Sequence, residues 1–327
     1  LEIAISCWIG AKVEKEGAIT VPARLLTDYT SLLPNEKIDI NLTKNTLHLK
    51  CARSETSING LDAADFPPIP EVTDGINTKI EREALRDGIN QVSFAAATEE
   101  SRPVLTGVQL EFDGDKLILA AADGFRLAVH YTSVLTPVSA KTAIIVPAKA
   151  LVELSRFLSD QDESVEIIVN QQKSQALFRL KNVEMVSQLI QGVFPNYSQL
   201  IPQKYATRAV VDLTQFLQAI KMASIFARDG SGIVRMEMTP GPEMTAGKMN
   251  ISARAEEIGE NIGEVDALID GEPAKIAFNA KYVSDVLGVI KQKQVALETT
   301  TSSSPGVIRP IGVSNYVHVV MPMFVQW

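Results

Sequence analysis

The chain has 327 residues, 46% hydrophobic and 21% charged, with a formal net charge of −8 at neutral pH. It is long enough for two or three modest cores, and no apolar run approaches the ~18–20 residues of a membrane span. The acidic balance excludes nonspecific nucleic-acid binding over the whole surface, because phosphate is repelled at long range and any contact needs a local, sheltered concentration of Lys and Arg.

From the N-terminus, Leu1 to Ala18 reads as strand, and the run Val21-Pro22-Ala23-Arg24-Leu25-Leu26 opens a helix. Alternating Ile38, Ile40 and Leu42, then Leu47 and Leu49, read as strands, followed by Ala63-Ala64-Asp65-Phe66-Pro67-Pro68-Ile69-Pro70. A second helix is expected over Ile80 to Phe94, where Leu85, Ile89 and Val92 keep one face apolar. Strands follow over Gly107 to Phe112, Lys116 to Ala121 and Arg126 to Tyr131.

The first helix marker then returns as Val146-Pro147-Ala148-Lys149-Ala150-Leu151 and again as Phe278-Asn279-Ala280-Lys281-Tyr282-Val283, at steps of about 125 and 132 residues. Periods of that size mean whole repeated domains rather than a solenoid. Behind the second marker come Val165, Ile167 and Val169, then Leu177, Phe178 and Leu180, then Gly192 to Pro202. A second helix of the companion kind spans Asp212 to Ala223, with Leu213, Phe216 and Ile220 on one face, before strands Val234 to Met238 and Met249 to Ala253. Val295 and Leu297, a Ser303-Ser304-Pro305-Gly306 turn and a strand Tyr316 to Met321 close the chain.

The reading is therefore α+β, with three repeated domains over 1–74, 75–206 and 207–327, each two helices packed on antiparallel sheets. The first domain is short by this arithmetic. A segment of roughly 46 residues, carrying a helix and two or three strands, is expected ahead of Leu1, and Leu1 to Ala18 corresponds to Arg126 to Ala143.

Arg24, Lys149 and Lys281 fall at one place in the three marker helices, within the first turn, where a cation opposes the helix dipole. Such a position attracts an anion such as phosphate, and Lys79, Arg82, Arg86, Lys221 and Arg228 join it from the companion helices. The alternative is a set of solvated surface charges paired with nearby acids. Cys7 and Cys51 lack CxxC spacing, which argues against a disulfide framework or zinc site and makes a reducing cytoplasm the expected compartment.

Catalysis finds little support. P-loop, GxGxxG, GxSxG and HExxH motifs are absent, and His48, His130 and His318 lie in separate strands. Asp123-Gly124 reads as a strand-to-strand turn.

Five stretches in order carry a family resemblance: Thr20-Val21-Pro22-Ala23-Arg24, Ala63-Ala64-Asp65-Phe66-Pro67, Ala122-Asp123-Gly124-Phe125-Arg126-Leu127-Ala128-Val129, the Phe-Pro-x-Tyr core of Gly192 to Pro202, and Val319-Val320-Met321-Pro322-Met323. With these the sequence resembles the bacterial DNA polymerase III beta subunit family, the sliding clamps, over essentially its whole length. The resemblance implies a head-to-tail homodimeric ring of three-domain subunits, a non-catalytic processivity factor without cofactor. It would encircle double-stranded DNA without reading sequence, be opened by an ATP-dependent clamp loader, and tether the replicative polymerase and other polymerases in the cytoplasm, at the nucleoid. A peptide-binding adaptor scaffold of the same architecture, without DNA, is the alternative.

The resemblance also implies sites. A hydrophobic cleft for Gln-, Leu- and Phe-rich partner peptides would use Leu105, Ala122, Gly124, Phe125, Arg126, Leu127, Pro195, Leu200, Asn279, Tyr282, Val319, Val320, Met321, Pro322 and Met323. Arg102, in the loop before Leu105, matches a DNA-facing loop, joining Arg24, Lys79, Arg82, Arg86, Lys149, Lys221, Arg228 and Lys281. Ile225 and Phe226 would meet the first-domain edge near Thr56 and Ile58 of another copy, the alternative being core packing of their helix. Phe125 stands where many relatives have His, and Phe324 to Trp327 replace a shorter terminus, so Trp327 is a candidate for folding over the cleft.

Overall fold

The three marker runs become helices at the same step: Arg24, Lys149 and Lys281 are each the second helical residue. The computed structural model describes residues 2–99, 101–160, 162–242 and 246–327. It divides into two units, one of Cys7–Glu71 and one of Val72–Trp327 with Glu2–Ser6.

The opening strand β1 (Ile3–Cys7) falls mainly in the larger unit. The expected strand stretch of Leu1 to Ala18 is thus shorter than read, because Trp8, Ile9 and Val13 lie exposed outside any strand and bury no face. The smaller unit holds α1 (Ala23–Ser31) and a sheet of β2 (Ile38–Thr43), β3 (Thr46–Cys51) and β4 (Ser54–Asn59). Leu49, Cys51 and Ile58 are buried there, whereas α1 buries no residue.

The larger unit repeats one order twice. First come β5 (Ile76–Ile80), α2 (Arg82–Val92), β6 (Gly107–Asp113), β7 (Lys116–Ala122), β8 (Arg126–Ser133), β9 (Thr142–Pro147), α3 (Ala148–Phe157), β10 (Val165–Val169), β11 (Gln175–Arg179) and β12 (Val183–Gln188). Then come β13 (Thr207–Asp212), α4 (Leu213–Arg228), β14 (Ile233–Thr239), β15 (Gly247–Ala255), β16 (Gly259–Gly271), β17 (Ala274–Asn279), α5 (Ala280–Val289), β18 (Gln294–Thr299), β19 (Gly306–Pro310) and β20 (Tyr316–Val320). Each half-repeat is strand, helix, three strands. The strand leading into each helix runs almost directly into it: only Glu81 separates β5 from α2, and no residue separates β9 from α3, β13 from α4 or β17 from α5.

Strand pairing crosses from repeat to repeat. β20 lies antiparallel to β8, with Tyr316 opposite His130 and Val320 opposite Arg126, so one sheet runs β17-β14-β15-β16-β13-β18-β19-β20-β8-β7-β6-β9. β1 adds to β12 in the second sheet, β1-β12-β11-β10-β5, through the bond from Gln188 N to Glu2 O. The helices cover one face: α2 packs against α3 and β8, α4 against α5, β15 and β16. Between helices and strands lies the main core, with Phe112, Phe178, Phe216 and Phe278 fully buried, each such side chain adding about 1.5–3 kcal/mol.

Candidate functional site

Period two in β8 and β20 sorts the residues of the expected cleft. Leu127, Val129, Val317 and Val319 point to the face away from the helices, where they form an apolar cluster with Leu105, Ala120, Ile145, Phe194, Ile201 and Val307. Ala122 and Tyr197 pack against it. Arg126, Ala128, His318 and Val320 fall on the opposite, helix-facing side. Burial pushes the Tyr197 phenol up to about 12, so it stays protonated at neutral pH.

The rim of this cluster keeps large apolar groups in solvent: Phe125 is 57% exposed, Leu200 55% and Met321 43%. Pro195 is exposed beside buried Phe194, and Pro322 and Met323 are half-buried. The chain after β20 is tied down by two backbone bonds, Met321 N to Phe125 O at 2.8 Å and Met323 N to Ala277 O at 2.7 Å. Gly124 has φ +95°, so this turn needs glycine for its backbone, and the Arg102 guanidinium rests over it, Nη1 lying 3.1 Å from where a Cβ would be.

Three expected cleft residues have other work. Val320 is fully buried in the main core. Asn279 caps α5, its Oδ1 accepting from Lys281 N at 2.9 Å and Tyr282 N at 3.4 Å. The Arg126 side chain is 8% exposed: it binds Asp123 Oδ2 through Nε at 3.0 Å, Asp285 Oδ2 through Nη1 at 2.7 Å and Phe94 O through Nη2 at 2.6 Å. Its guanidinium lies 4.4 Å from the centroid of the Tyr282 ring and 5.4 Å from that of Phe94. Alternation from Leu127 and Val319 was the signal that could have placed Arg126 and Val320 on the helix-facing side.

Behind this knot a cavity of about 790 Å³ opens between α2 and α5, lined by Phe94, Arg102, Phe125, Tyr282 and Asp285 among others. Trp327 does not fold over the cleft. Its ring stands 5.4 Å from Lys275 Nζ on β17, a site fixed by a cation on the sheet edge.

The basic residues divide. Lys149 and Lys221 are exposed on α3 and α4 and carry no ion pair among the described residues. Arg24 stands 3.7 Å from Asp28, Arg228 3.8 Å from Asp229 and Lys281 2.7 Å from Asp285. Lys79 lies on β5, opposite Glu166, and not on a helix: the helix begins at Arg82, after the strand's last apolar residue, Ile80. Arg82 is mostly covered and donates to the carbonyls of Leu158 and Ser159 past the end of α3, which makes it a helix-to-helix tie. Arg86 is half-buried and Arg102 exposed.

Among the interface candidates, Ile225 is 55% exposed on α4 while Phe226 is half-buried against the core. Ile225 joins Leu217 and Met222 around a shallow apolar cavity of about 350 Å³. In the smaller unit Thr56 is half-buried and Ile58 is a core residue, since β4 turns them to the same face.

Three family models match the chain in order: the N-terminal domain of the DNA polymerase III beta subunit over residues 1–70, its central domain over 79–196 and its C-terminal domain over 198–324. The beta sliding clamp of Bacillus subtilis (strain 168) is 32% identical over 314 residues, covering 95% of this chain and 81% of the relative. The crystal structure of a DNA polymerase sliding clamp from Bacillus subtilis superposes with a TM-score of 0.88 at 30% identity, covering 99% of this chain and 87% of that one. A DNA polymerase III beta subunit from Thermotoga maritima does so with a TM-score of 0.90 at 26% identity, covering 99% and 86%.

Proposed function

The chain belongs to the DNA polymerase III beta subunit family, the beta sliding clamps, and on that premise we propose that two copies close head to tail around duplex DNA and hold polymerases by the apolar cleft. Its role is that of a non-catalytic processivity factor of DNA polymerase III. The family implies DNA and polymerase as partners; the residues that meet them are our reading.

The observation that carries ring closure is the junction rule of the sheets. The last strand of one repeat, β20 or β12, pairs with β8 or with β1 of the repeat before it. The last strand of the first repeat, β4, has no partner on its outer edge among the described residues, and neither has the Gly259–Asp266 stretch of β16, which pairs only with β15 there. Unpaired edges recruit strands, so β4 of one copy and β16 of the next form the third junction. Ile225, Met222 and Leu217 on α4, the helix that packs on β16, supply the apolar contact beside it.

Within such a ring the acidic exterior repels DNA, while Lys149, Lys221, Arg24, Lys281 and Arg228 on helices neutralise phosphates without touching base edges. The cleft floor of Leu105, Ala122, Leu127 and Val319, rimmed by Phe125, Leu200 and Met321, suits a short apolar peptide; flexible Met321 can repack around several partners. Tethering converts a weak peptide contact into lasting association by raising effective concentration.

Retention on nicked circular DNA tests the reading, after loading by an ATP-dependent clamp loader and a high-salt wash. Clamp that survives on the circle and is lost once the circle is cut is topologically linked. Equal loss from both forms would overturn encirclement and favour the DNA-free adaptor.

A further inference from the structure

One carboxylate oxygen serves both proposed surfaces. Asp285 Oδ2 accepts from Arg126 Nη1 at 2.7 Å and from Lys281 Nζ at 2.7 Å. The two cations differ in surroundings, for the Arg126 side chain is 8% exposed and that of Lys281 72%. Arg126 can go nowhere, being held by the Phe94 carbonyl and flanked by two rings; Lys281 can exchange Asp285 for any better anion in solvent.

From Arg126 the interactions run to the cleft without a gap. Its Nε binds Asp123 Oδ2 at 3.0 Å, and Asp123 Oδ1 accepts from Phe125 N at 2.8 Å and Arg126 N at 3.0 Å, shaping the turn that carries Phe125. Phe125 O in turn accepts from Met321 N at 2.8 Å. Phe125 and Met321 are the exposed walls of the cleft.

We propose that Asp285 is a positioning residue for the partner cleft, and that duplex DNA engaging Lys281 tightens peptide binding by leaving Asp285 wholly to Arg126. The inference rests on the clamp reading above. A phosphate that draws Lys281 away removes a competing donor from Oδ2 and a like charge from beside Arg126, so the Arg126–Asp285 bond strengthens and the Asp123 turn is held more firmly. A peptide that requires that turn then gains affinity, and by linkage the bound peptide strengthens the Lys281–phosphate interaction by the same factor.

The test measures binding of a labelled Gln-, Leu- and Phe-rich peptide to the free clamp and to clamp retained on a nicked circle. Affinity should rise about fivefold on the circle and fall back when the circle is cut. Free Lys281→Ala protein should already bind at the level of the loaded parent. Asp285→Asn should weaken the peptide and abolish the dependence on DNA. Unchanged affinity of the parent on the circle, free Lys281→Ala no tighter than the free parent, or a DNA effect surviving in Asp285→Asn would overturn the proposal. Lys281 is solvent-facing, so its variant reports even if Asp285→Asn folds poorly. Failure of the parent to bind peptide or to stay on the circle would sink the clamp reading itself, an outcome distinct from intact binding and retention without coupling.

Discussion

Met321 donates its backbone N–H to the carbonyl of Phe125 at 2.8 Å, just past the end of the β20–β8 ladder. The bond fastens the terminal segment of the third repeat to the turn of the second and sets two exposed apolar side chains side by side at the cleft rim. Because the tie is made by backbone, the Met321 side chain is free for a partner.

Met321→Ala should therefore weaken partner-peptide binding by about 1–2 kcal/mol, the range of a truncated interface anchor, with the melting temperature unchanged. Fluorescence titration alongside thermal unfolding checks both halves. Removing Phe324 to Trp327 should have a smaller effect on the peptide, because Trp327 rests on Lys275 rather than over the cleft. Affinity insensitive to Met321→Ala would displace the site.

Arg126→Ala should destabilise the larger unit by about 3–5 kcal/mol, the cost of leaving a covered charge partner alone. Asp123 Oδ2 and the Phe94 carbonyl lose the guanidinium donor, while Asp285 is left with Lys281 alone. Urea unfolding gives the loss directly; a change below about 1 kcal/mol would mean that water replaces the guanidinium without penalty.

Two buried histidines predict an acid-labile fold. Burial, with the Arg126 charge adding to it, holds His318 down to about 3, and its Nε2 has no hydrogen-bond partner among the described residues. Burial also holds His130 to about 4, the Asp87 charge opposing, while His130 Nδ1 sits 2.7 Å from Gln91 Oε1. In the unfolded chain both titrate near 6.5, so below that pH the unfolded state binds more protons than the native one. Stability is full above about 6.5 and falls through the window toward 4 and 3, by up to about 1.4 kcal/mol per pH unit for each ring. His318→Phe, which keeps a ring to stack on Phe94, should remove roughly half of that slope between about pH 4.5 and 6 in urea titrations. An unaltered slope would assign the acid sensitivity elsewhere.

Lys149 and Lys221 are the cations most readily given over to phosphate, since no carboxylate holds them. Reversing both to Glu should lower loading onto nicked circles sharply and flatten its salt dependence, by about 0.9 in log–log slope for each phosphate left without its cation. Either reversal alone should change loading by less than about twofold, because neutralisation is shared among several cations. Loading of the double variant equal to that of the parent would remove α3 and α4 from the DNA path.

Much of the molecule could be read before folding. The marker helices, several strands of the two full repeats such as β6, β7, β8, β10 and β20, and the turn at Asp123-Gly124 follow from period and turn chemistry, which act over a few residues. The long strand β16 escaped because its inward positions, Asn261, Gly263, Val265 and Ala267, are mostly small or polar, so no strongly apolar alternation marks the buried face. The strands leading into each helix escaped because no turn segment separates them from the helix, β9, β13 and β17 ending one residue before it begins. Leu105, Leu127 and Val319 gather on the sheet face away from the helices, whereas Arg126 and Val320, their neighbours in sequence, fall on the helix-facing side by the same alternation.

Sequence alone determined the repeat, the class of fold and the family, because each rests on local pattern repeated in register. Tertiary structure alone decided which charges are free. Arg82, Arg126 and Lys281 look alike on paper, yet one ties two helices, one is shut inside a knot of carboxylates and rings, and one shares its partner at the surface. What a cation can do depends on which groups the fold brings within about 3 Å of it and on how much water remains, and neither is written in the spacing of the chain.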